Sequence, residues 1–326
     1  MTVLITGVAG FIGSQTAAAL LDRGETVVGI DNMNDYYEVT LKEARLARLE
    51  DRVGFTFAKI DIADRDAVHA VVARHPDITR VVHLAAQAGV RYSLVNPYAY
   101  LRSNIDGHVV LLEACRTLPR LEHFVYASSS SVYGANTDLP FSIDDQVDRP
   151  VSLYGATKKA MEGISHAYAH VYGLPLTGLR FFTVYGPWGR PDMSAFIFTR
   201  AILAGEPIPV FNHGDMHRDF TYVDDIVAGI VACLDRPPPA ADGAAPNRIY
   251  NLGNHRSESL MDFIRTIEAA LGIKATLDLL PMQVGDVKET FADIEASRRD
   301  LGFEPRTSIA DGIPRFIAWY KDYYRV

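Results

Sequence analysis

The chain has 326 residues, of which 48% are hydrophobic and 22% are charged. These proportions are typical of a globular protein and exclude intrinsic disorder, and the length is enough to bury a large α/β core. The net charge of -8 argues against non-specific nucleic-acid binding, which requires a basic surface.

Two features of the sequence bear on the compartment. Cys115 and Cys233 are the two cysteines, both within apolar helical patterns, which excludes a disulfide framework and favours a reducing compartment. The chain opens almost directly on the strand-like run VLIT, and no apolar segment is long enough to span a bilayer. We therefore expect a cytoplasmic protein without a signal peptide or a membrane partner.

Short apolar runs alternate with helical patterns through the first half of the chain. VLIT precedes a predicted helix at 11–23, and TVVGI precedes a charged helix at 39–50. The runs FTFAKI, RVVHLA and HFVYAS follow, each with a helix after it, and then LTGLRFF. The alternation predicts βαβ units and hence an α/β fold with a doubly wound parallel (Rossmann) sheet.

Beyond Thr183 the sequence becomes richer in glycine, proline and short strands, which predicts a smaller α/β lobe. We expect residues 1–180 to form the larger domain, with 219–252 returning to it, and 181–218 with 253–326 to form the smaller lobe. The segment PPPAADGAAP (237–246) predicts a surface loop, because its prolines cannot continue a helix.

GVAGFIG places Gly7, Gly10 and Gly13 between the first strand and the first helix. Glycines tighten such a turn and let the backbone approach a pyrophosphate, which the positive helix N-terminus attracts. The spacing is GxxGxxG; alone it also fits a plain strand-to-helix turn, but its position in an alternating chain predicts a dinucleotide site.

Asp31 ends the second predicted strand, where a carboxylate can bind the adenosine ribose hydroxyls and repel a 2′-phosphate. No arginine follows in DNMNDYY, which favours NAD over NADP; a plain strand-end aspartate is the alternative. Asp61, with the Ile62 backbone, is a candidate adenine contact, although a turn aspartate fits as well. Ala85 and Ala86 are small enough for the cofactor to pass close by.

SLYGATKKAMEG places Tyr154 and Lys158 four residues apart on a predicted helix, hence one turn apart on one face. A nearby ammonium favours the phenolate and lowers a pKa that is about 10 in free tyrosine. The pair is thus a candidate base and helper, and the alternative is two ordinary residues on an amphipathic helix.

Four serines, 128–131, follow the strand HFVYA, at the end of the strand where parallel sheets place ligands. The alternative is that these serine hydroxyls bond to the backbone.

Together these motifs resemble the extended short-chain dehydrogenase/reductase family, in its branch of nucleotide-sugar epimerases. GVAGFIG with Asp31, the serine run, YGATK and RDFTYVDD support this resemblance. The segments DNMNDYYEVTLK, LAAQAGVRYSLVNP, YASSSSVYG, SLYGATKKAME and RFFTVYGPWGRPDM are similar to the UDP-glucuronate 4-epimerases of that family.

The resemblance implies tightly bound NAD and the conversion of UDP-glucuronate to UDP-galacturonate. Ser129 would be the hydroxyl partner, Tyr154 the base, and Lys158 its electrostatic and ribose-binding helper. Tyr154 would take the 4-hydroxyl proton while NAD accepts the C4 hydride, and the 4-keto sugar would turn before the hydride returns. The implied cofactor contacts are Gly7, Gly10, Phe11, Ile12, Gly13, Asp31, Asn32, Asp61, Ile62, Ala85, Ala86, Tyr154 and Lys158.

The resemblance also implies substrate contacts and an assembly. Thr183 stands where galactose epimerases have asparagine, and Arg91 and Arg190 are candidate partners for a carboxylate or phosphate, or plain surface residues. A homodimer would form through the helix after Pro97 and the Tyr154 helix. No metal is expected. The implied substrate contacts are Ser128, Ser129, Ser130, Arg91, Thr183, Arg190, Arg218 and Asp286.

Four other functions compete with this interpretation. A neutral UDP-hexose epimerase (UDP-glucose or UDP-N-acetylglucosamine) is the nearest, followed by a UDP-glucuronate decarboxylase. A dehydratase would place an Asp-Glu pair where Ser130 and Ser131 stand. A non-catalytic dinucleotide-binding sensor belongs to a different class, which the presence of Tyr154 and Lys158 disfavours.

Overall fold

A computed structural model describes residues 1–239, 244–283 and 286–326. Strands and helices alternate along its first 181 residues, as the apolar pattern predicts. The elements are β1 (Thr2–Thr6), α1 (Phe11–Asp22), β2 (Thr26–Asp31), α2 (Val39–Glu50), β3 (Phe55–Lys59), α3 (Arg65–Arg74), β4 (Ile78–His83), α4 (Tyr92–Val95), α5 (Pro97–Tyr100), a π-helical turn (Leu101–Asp106), α6 (Gly107–Cys115), β5 (His123–Ser129), a 3₁₀ turn (Ser130–Tyr133), α7 (Leu153–Tyr172) and β6 (Leu176–Phe181).

The rest of the chain has shorter strands between its helices. Within the predicted loop at 237–246, residues 240–243 lie outside the described part of the chain. The elements are β7 (Thr183–Tyr185), α8 (Ser194–Ala204), β8 (Ile208–Val210), a 3₁₀ turn (Phe211–Gly214), β9 (His217–Arg218), β10 (Phe220–Tyr222), α9 (Val223–Leu234), β11 (Asn247–Leu252), β12 (Glu258–Ser259), α10 (Leu260–Leu271), β13 (Leu277–Leu279), α11 (Glu295–Leu301) and α12 (Ile309–Tyr324).

Seven parallel strands form the central sheet in the order β11-β6-β5-β4-β1-β2-β3. The chain winds outward from β1 to β3 and then crosses back to β4, so its direction reverses between β1 and β4. The predicted doubly wound α/β fold is confirmed. In such sheets a crevice for ligands opens at this reversal, outside the carboxyl ends of the strands.

Apolar side chains form three cores. One lies where α1 and α9 cover the sheet, with Leu20 and Ile226 inside it, and another lies under α3, α6 and α7 on the opposite face. The third core joins α8, α10 and α12 beside the sheet, where the Phe220 and Phe263 rings stack with centroids 3.9 Å apart. Sheet and side lobe are therefore each packed around apolar cores, and a cleft can form between them.

Helix α7 is positioned by its ends. The Ser152 hydroxyl accepts a hydrogen bond from the Gly155 N–H at 3.0 Å, so the helix begins at Leu153 and has Tyr154 in its first turn. Gly173, with φ of 68°, ends the helix in the left-handed conformation. Lys158, one turn after Tyr154, bonds to the Ala127 carbonyl, so the start of α7 lies beside the carboxyl end of β5.

Both cysteines are buried and unbonded. Within the described ranges, no helix combines the length and the apolar character needed to cross a membrane.

Candidate active site

A cavity of about 440 Å³ opens at the carboxyl ends of the strands. Its volume is within the range of small-molecule sites, about 300–1,000 Å³. It joins the glycine turn, the serine run and the first turns of α7 to the smaller lobe. The residues of the predicted site that line it are Gly7, Gly10, Phe11, Ile12, Gly13, Asp31, Asn32, Ile62, Ala85, Ala86, Ser128, Ser129, Ser130, Tyr154, Lys158, Thr183, Arg190, Arg218 and Asp286.

The turn between β1 and α1 fits a dinucleotide diphosphate. A Cβ on Gly13 would lie 2.0 Å from the Gly7 carbonyl oxygen, and one on Gly7 would lie 2.8 Å from the Ala85 nitrogen, so neither position accommodates a side chain. Gly10 caps α1 without a side-chain bond, and the first turn of α1 contains no acidic residue. The helix N-terminus therefore faces the cavity with its positive end uncompensated, which suits an anion.

Asp31 is held at the end of β2 by two backbone donors. Its carboxylate accepts hydrogen bonds from the Ala9 N–H at 3.1 Å and the Met33 N–H at 2.8 Å. The cation beside it, Lys42, donates to the Asn34 carbonyl and side-chain oxygens at 2.6 and 2.8 Å. The carboxylate suits a ribose diol and opposes a 2′-phosphate, so the site fits NAD.

Asp61 and Arg91 are not among the cavity-lining residues of the described chain. The Asp61 carboxylate accepts the Ala63 N–H at 2.9 Å and pairs with Arg102 at 3.3 Å. The Arg91 guanidinium lies over the Phe211 ring, 4.8 Å from its centroid, and its charge acts on Arg218. Arg91 therefore lies near the Arg218 end of the site.

Tyr154 and Ser129 both line the cavity. Burial raises the pKa of the Tyr154 phenol, while the Ser129 hydroxyl and the charge of Arg190 act to lower it. The Ser129 hydroxyl also accepts the Ser131 N–H at 3.1 Å, which fixes its orientation. A proton can thus pass between Tyr154 and a substrate hydroxyl placed beside Ser129.

Lys158 has a different partner from the one that the helix spacing suggests. Its Nζ donates to the Ala127 carbonyl at 2.7 Å, its exposure is 2%, and burial lowers its pKa to about 7. Ser129 and Arg190 lower the pKa of Tyr154. The sequence instead predicts that the Lys158 ammonium lowers it. The cause is the inward orientation of the lysine, which bonds to the end of β5.

The hydroxyl of Ser128 is also bonded within the protein. It donates to Glu162 Oε1 at 2.7 Å, and Glu162 pairs with Arg180 at 2.9 Å in the interior. Ser128 and Ser129 are consecutive residues of β5, so their side chains point to opposite faces. Ser129 is therefore available to a substrate, whereas the Ser128 hydroxyl positions α7 through Glu162.

Arg190 belongs to a cluster that includes residues missed in the sequence. It forms two hydrogen bonds with the Asp192 carboxylate, from Nε at 3.0 Å and from Nη2 at 2.5 Å. The Tyr36 hydroxyl donates to the same carboxylate at 3.2 Å. Tyr36 and Tyr37 line the cavity and follow Asp31 within DNMNDYY, a proximity in the sequence that could have indicated them.

Arg218 and Asp286, both predicted to contact UDP, pair with each other at 2.8 Å. The Arg218 guanidinium also donates to the Val287 carbonyl at 2.6 Å. The next residue, Asp219, is fully buried and accepts N–H groups of Asn254 and Ala292 at 2.6 and 3.2 Å. These bonds fix β9 and its arginine at the cavity wall.

A doubly wound sheet with a glycine turn and a Ser–Tyr–Lys group at one cavity defines a dinucleotide-dependent enzyme. Residues 3–253 match the NAD dependent epimerase/dehydratase family, and the chain belongs to that family.

Two relatives and one solved structure extend this finding. UDP-glucuronate 4-epimerase 4 of Arabidopsis thaliana is 49% identical over 99% of this chain and 76% of its own length. The probable UDP-glucuronate 4-epimerase of Rhizobium meliloti is 46% identical over 100% of this chain and 98% of its own. The crystal structure of UDP-glucuronic acid 4-epimerase from Bacillus cereus, in complex with UDP-glucuronic acid and NAD, superposes with a TM-score of 0.91 at 36% identity, covering 99% of this chain and 100% of that one.

Proposed function

We propose that this protein is an isomerase that interconverts UDP-glucuronate and UDP-galacturonate by inverting C4 of the sugar, with NAD as its bound cofactor. The observation that supports this best is the Ser129–Tyr154 pair, which lies in one cavity with Arg190 and the glycine turn. The relatives named UDP-glucuronate 4-epimerase are similar over essentially the whole chain. A transferable proton, an anion-binding arginine and a dinucleotide site are the parts that this reaction requires.

The residues present supply the proton chemistry. Gly7, Gly10, Gly13 and Asp31 would hold NAD, which would supply the acceptor for the C4 hydride. Inversion requires the 4-keto sugar to turn its other face to the cofactor before the hydride returns. Tyr154 takes the 4-hydroxyl proton and gives it back, and Ser129 holds the hydroxyl in line with it. The Ser129 hydroxyl and the Arg190 charge oppose the burial that raises the pKa of Tyr154, so both residues favour its basic form.

We assign the two ends of the substrate to different arginines. Arg190 lies within electrostatic reach of Tyr154, so it is placed for the sugar carboxylate. Arg218 and Asp286 line the cavity from the smaller lobe and are assigned to the UDP moiety, with Ser130 and Thr183 along the sugar. Asp192 uses two of the five N–H donors of Arg190. A sugar carboxylate held by the remaining donors is fixed in orientation, which guards the β-keto acid intermediate against loss of carbon dioxide.

The test is to offer the purified protein UDP-glucuronate, UDP-glucose and UDP-N-acetylglucosamine separately and to identify each product by NMR. We expect UDP-galacturonate from the first substrate, without added cofactor. Inversion of a neutral sugar with UDP-glucuronate returned unchanged would contradict the proposal. Conversion of UDP-glucuronate to a UDP-pentose would instead indicate a decarboxylase.

Three further assignments are part of the proposal. Residues 1–180 with 219–252 bind the cofactor and the remaining residues bind the nucleotide sugar. The pairing of β11 with β6 supports this division, because it returns the later segment to the central sheet.

The protein is a homodimer, which the exposed apolar side chains Leu94, Val95 and Tyr98 near α5 support. It works in the cytoplasm, which the two unbonded cysteines support.

A further inference from the structure

Arg45, on α2, is a buried cation whose partners are all uncharged. It has no exposed surface, and its guanidinium makes five hydrogen bonds to carbonyl and phenol oxygens. Across the described ranges, no carboxylate forms an ion pair with it. Burying a charge without a counter-ion is unfavourable, so its retention calls for a specific role.

The five bonds connect two segments that are distant in the sequence. On one side, Nε and Nη2 donate to the Trp188 carbonyl at 3.1 and 2.7 Å, and Nη2 also donates to the Gly189 carbonyl at 2.9 Å. On the other side, Nη1 donates to the Ala9 carbonyl at 3.3 Å and the Tyr37 hydroxyl at 2.7 Å. The guanidinium therefore links the glycine turn to the segment that precedes Arg190.

The turn at 187–189 contains an unfavourable backbone conformation that other residues must stabilise. Trp188 has φ of 65°, a left-handed conformation that is unfavourable for a bulky residue and persists where its surroundings fix it. The carbonyl of its neighbour, Pro187, accepts a hydrogen bond from Gln15 Nε2 at 3.0 Å. Arg45 and Gln15 thus bind three successive carbonyl groups, at 187–189, immediately before Arg190.

We infer that Arg45 is a positioning residue that fixes the 187–189 turn so that Arg190 points into the cavity beside Tyr154, and that it thereby sets the preference for an acidic sugar. The inference rests on the proposed function, because it assigns the sugar carboxylate to Arg190. Lysine cannot replace Arg45 here. Its single ammonium is a point charge, whereas the planar guanidinium reaches carbonyls on both sides at once.

The experiment compares Arg45→Lys and Gln15→Ala with wild type. Arg48→Lys is the matched control, since Arg48 lies one turn further along α2. Its guanidinium lies over the Trp188 ring, 4.7 Å from the centroid, but makes no hydrogen bond to the carbonyl groups of the turn. Calorimetry on the NAD-containing proteins gives the affinities for UDP-glucuronate, UDP-glucose and UDP, and kinetics give kcat and KM. Near-ultraviolet circular dichroism and NAD content report on folding.

We expect Arg45→Lys to weaken UDP-glucuronate binding by roughly ten-fold or more relative to UDP-glucose, the scale of one lost charge-assisted hydrogen bond. UDP affinity should stay near wild type, Gln15→Ala should show a smaller loss of the same preference, and Arg48→Lys should show none. The inference is overturned if Arg45→Lys keeps the wild-type preference for UDP-glucuronate over UDP-glucose, or if it loses affinity equally for all three ligands. If Arg45→Lys does not fold, the same two outcomes are judged on Gln15→Ala. Wild-type turnover tests the proposed function separately, because a protein that ignores UDP-glucuronate would fail there first.

Discussion

At the scale of single residues, burial dominates the chemistry of the site. The same loss of solvent raises the pKa of Tyr154 and lowers that of Lys158 to about 7, so both side chains are pushed toward their neutral forms. Each remaining polar contact therefore has a large influence on when Tyr154 can act as a base. Ser129 provides such a contact.

Removal of the Ser129 hydroxyl should change the pH dependence of the reaction. The Ser129 hydroxyl lowers the pKa of Tyr154, so Ser129→Ala leaves that pKa higher. The acidic limb of the kcat–pH profile, where Tyr154 must lose its proton, should then shift to higher pH. Ser131→Ala, in the same serine run, is the control and should keep the wild-type profile; an unshifted Ser129→Ala profile would argue against Tyr154 as the base.

Lys158→Met should show that burying this lysine lowers the stability of the folded protein. Burial lowers the pKa of Lys158 from 10.5 to about 7. Between these two pH values Lys158 is protonated in the unfolded chain but largely neutral in the folded protein. The resulting penalty grows as pH falls toward 7 and then levels off. The stability of the methionine variant relative to wild type should rise by about 2 kcal/mol between pH 9 and pH 7, measured by urea unfolding of NAD-free protein. A pH-independent difference would refute this.

At the scale of elements, α7 is anchored to the sheet by a buried ion pair. Burial raises the pKa of Glu162, but bonds from Arg180 and Ser128 more than offset this and hold it below its ordinary value of 4.5. Arg180 also donates to the Tyr133 hydroxyl at 3.0 Å. The pair therefore joins α7, β5 and β6, and with them Tyr154 and Ser129.

Glu162→Gln should destabilise the protein by about 3–5 kcal/mol, because it leaves Arg180 as an uncompensated buried charge. The lowered pKa of Glu162 adds stability that is present above pH 4.5 and lost as pH falls below it, so the variant should also lose this acid sensitivity. Glu113→Gln is the control: its pair with Arg116 lies on the surface of α6 and should contribute less than about 1 kcal/mol. Similar losses from both variants in denaturant titrations would contradict the prediction.

The residues of the site that the sequence predicts lie close together in the chain, whereas the contacts that it does not predict join distant residues. Gly7, Gly10, Gly13 and Asp31 were predictable because the strand, turn and helix that position them are consecutive in the chain. The contact between Tyr36 and Asp192 joins residues 156 positions apart, and no local period indicates such a pair. The alternation along β5 could have assigned the adjacent serines to opposite faces, but only once the strand was known to continue through Ser129.

At the scale of the whole molecule, the two parts of the chain meet around the turn at 187–189. Gln15 and Arg45 come from the helices beside the glycine turn, while Arg190 follows the 187–189 turn and lines the cavity. The glycine turn and the segment before Arg190 are therefore held by the same set of hydrogen bonds.

The proposed homodimer makes a prediction about the exposed face of α7. Gly163 lies on that face, and a Cβ added there meets no atom within 4 Å, so Gly163→Glu places a charge on the surface without straining the fold. Tyr98, on α5, is 78% exposed and would be covered by the partner. We expect light scattering after size exclusion to give twice 36.0 kDa for wild type and 36.0 kDa for Gly163→Glu. Val53→Glu, at a 99% exposed position outside this face, should remain dimeric, and a monomeric wild type would refute the assembly.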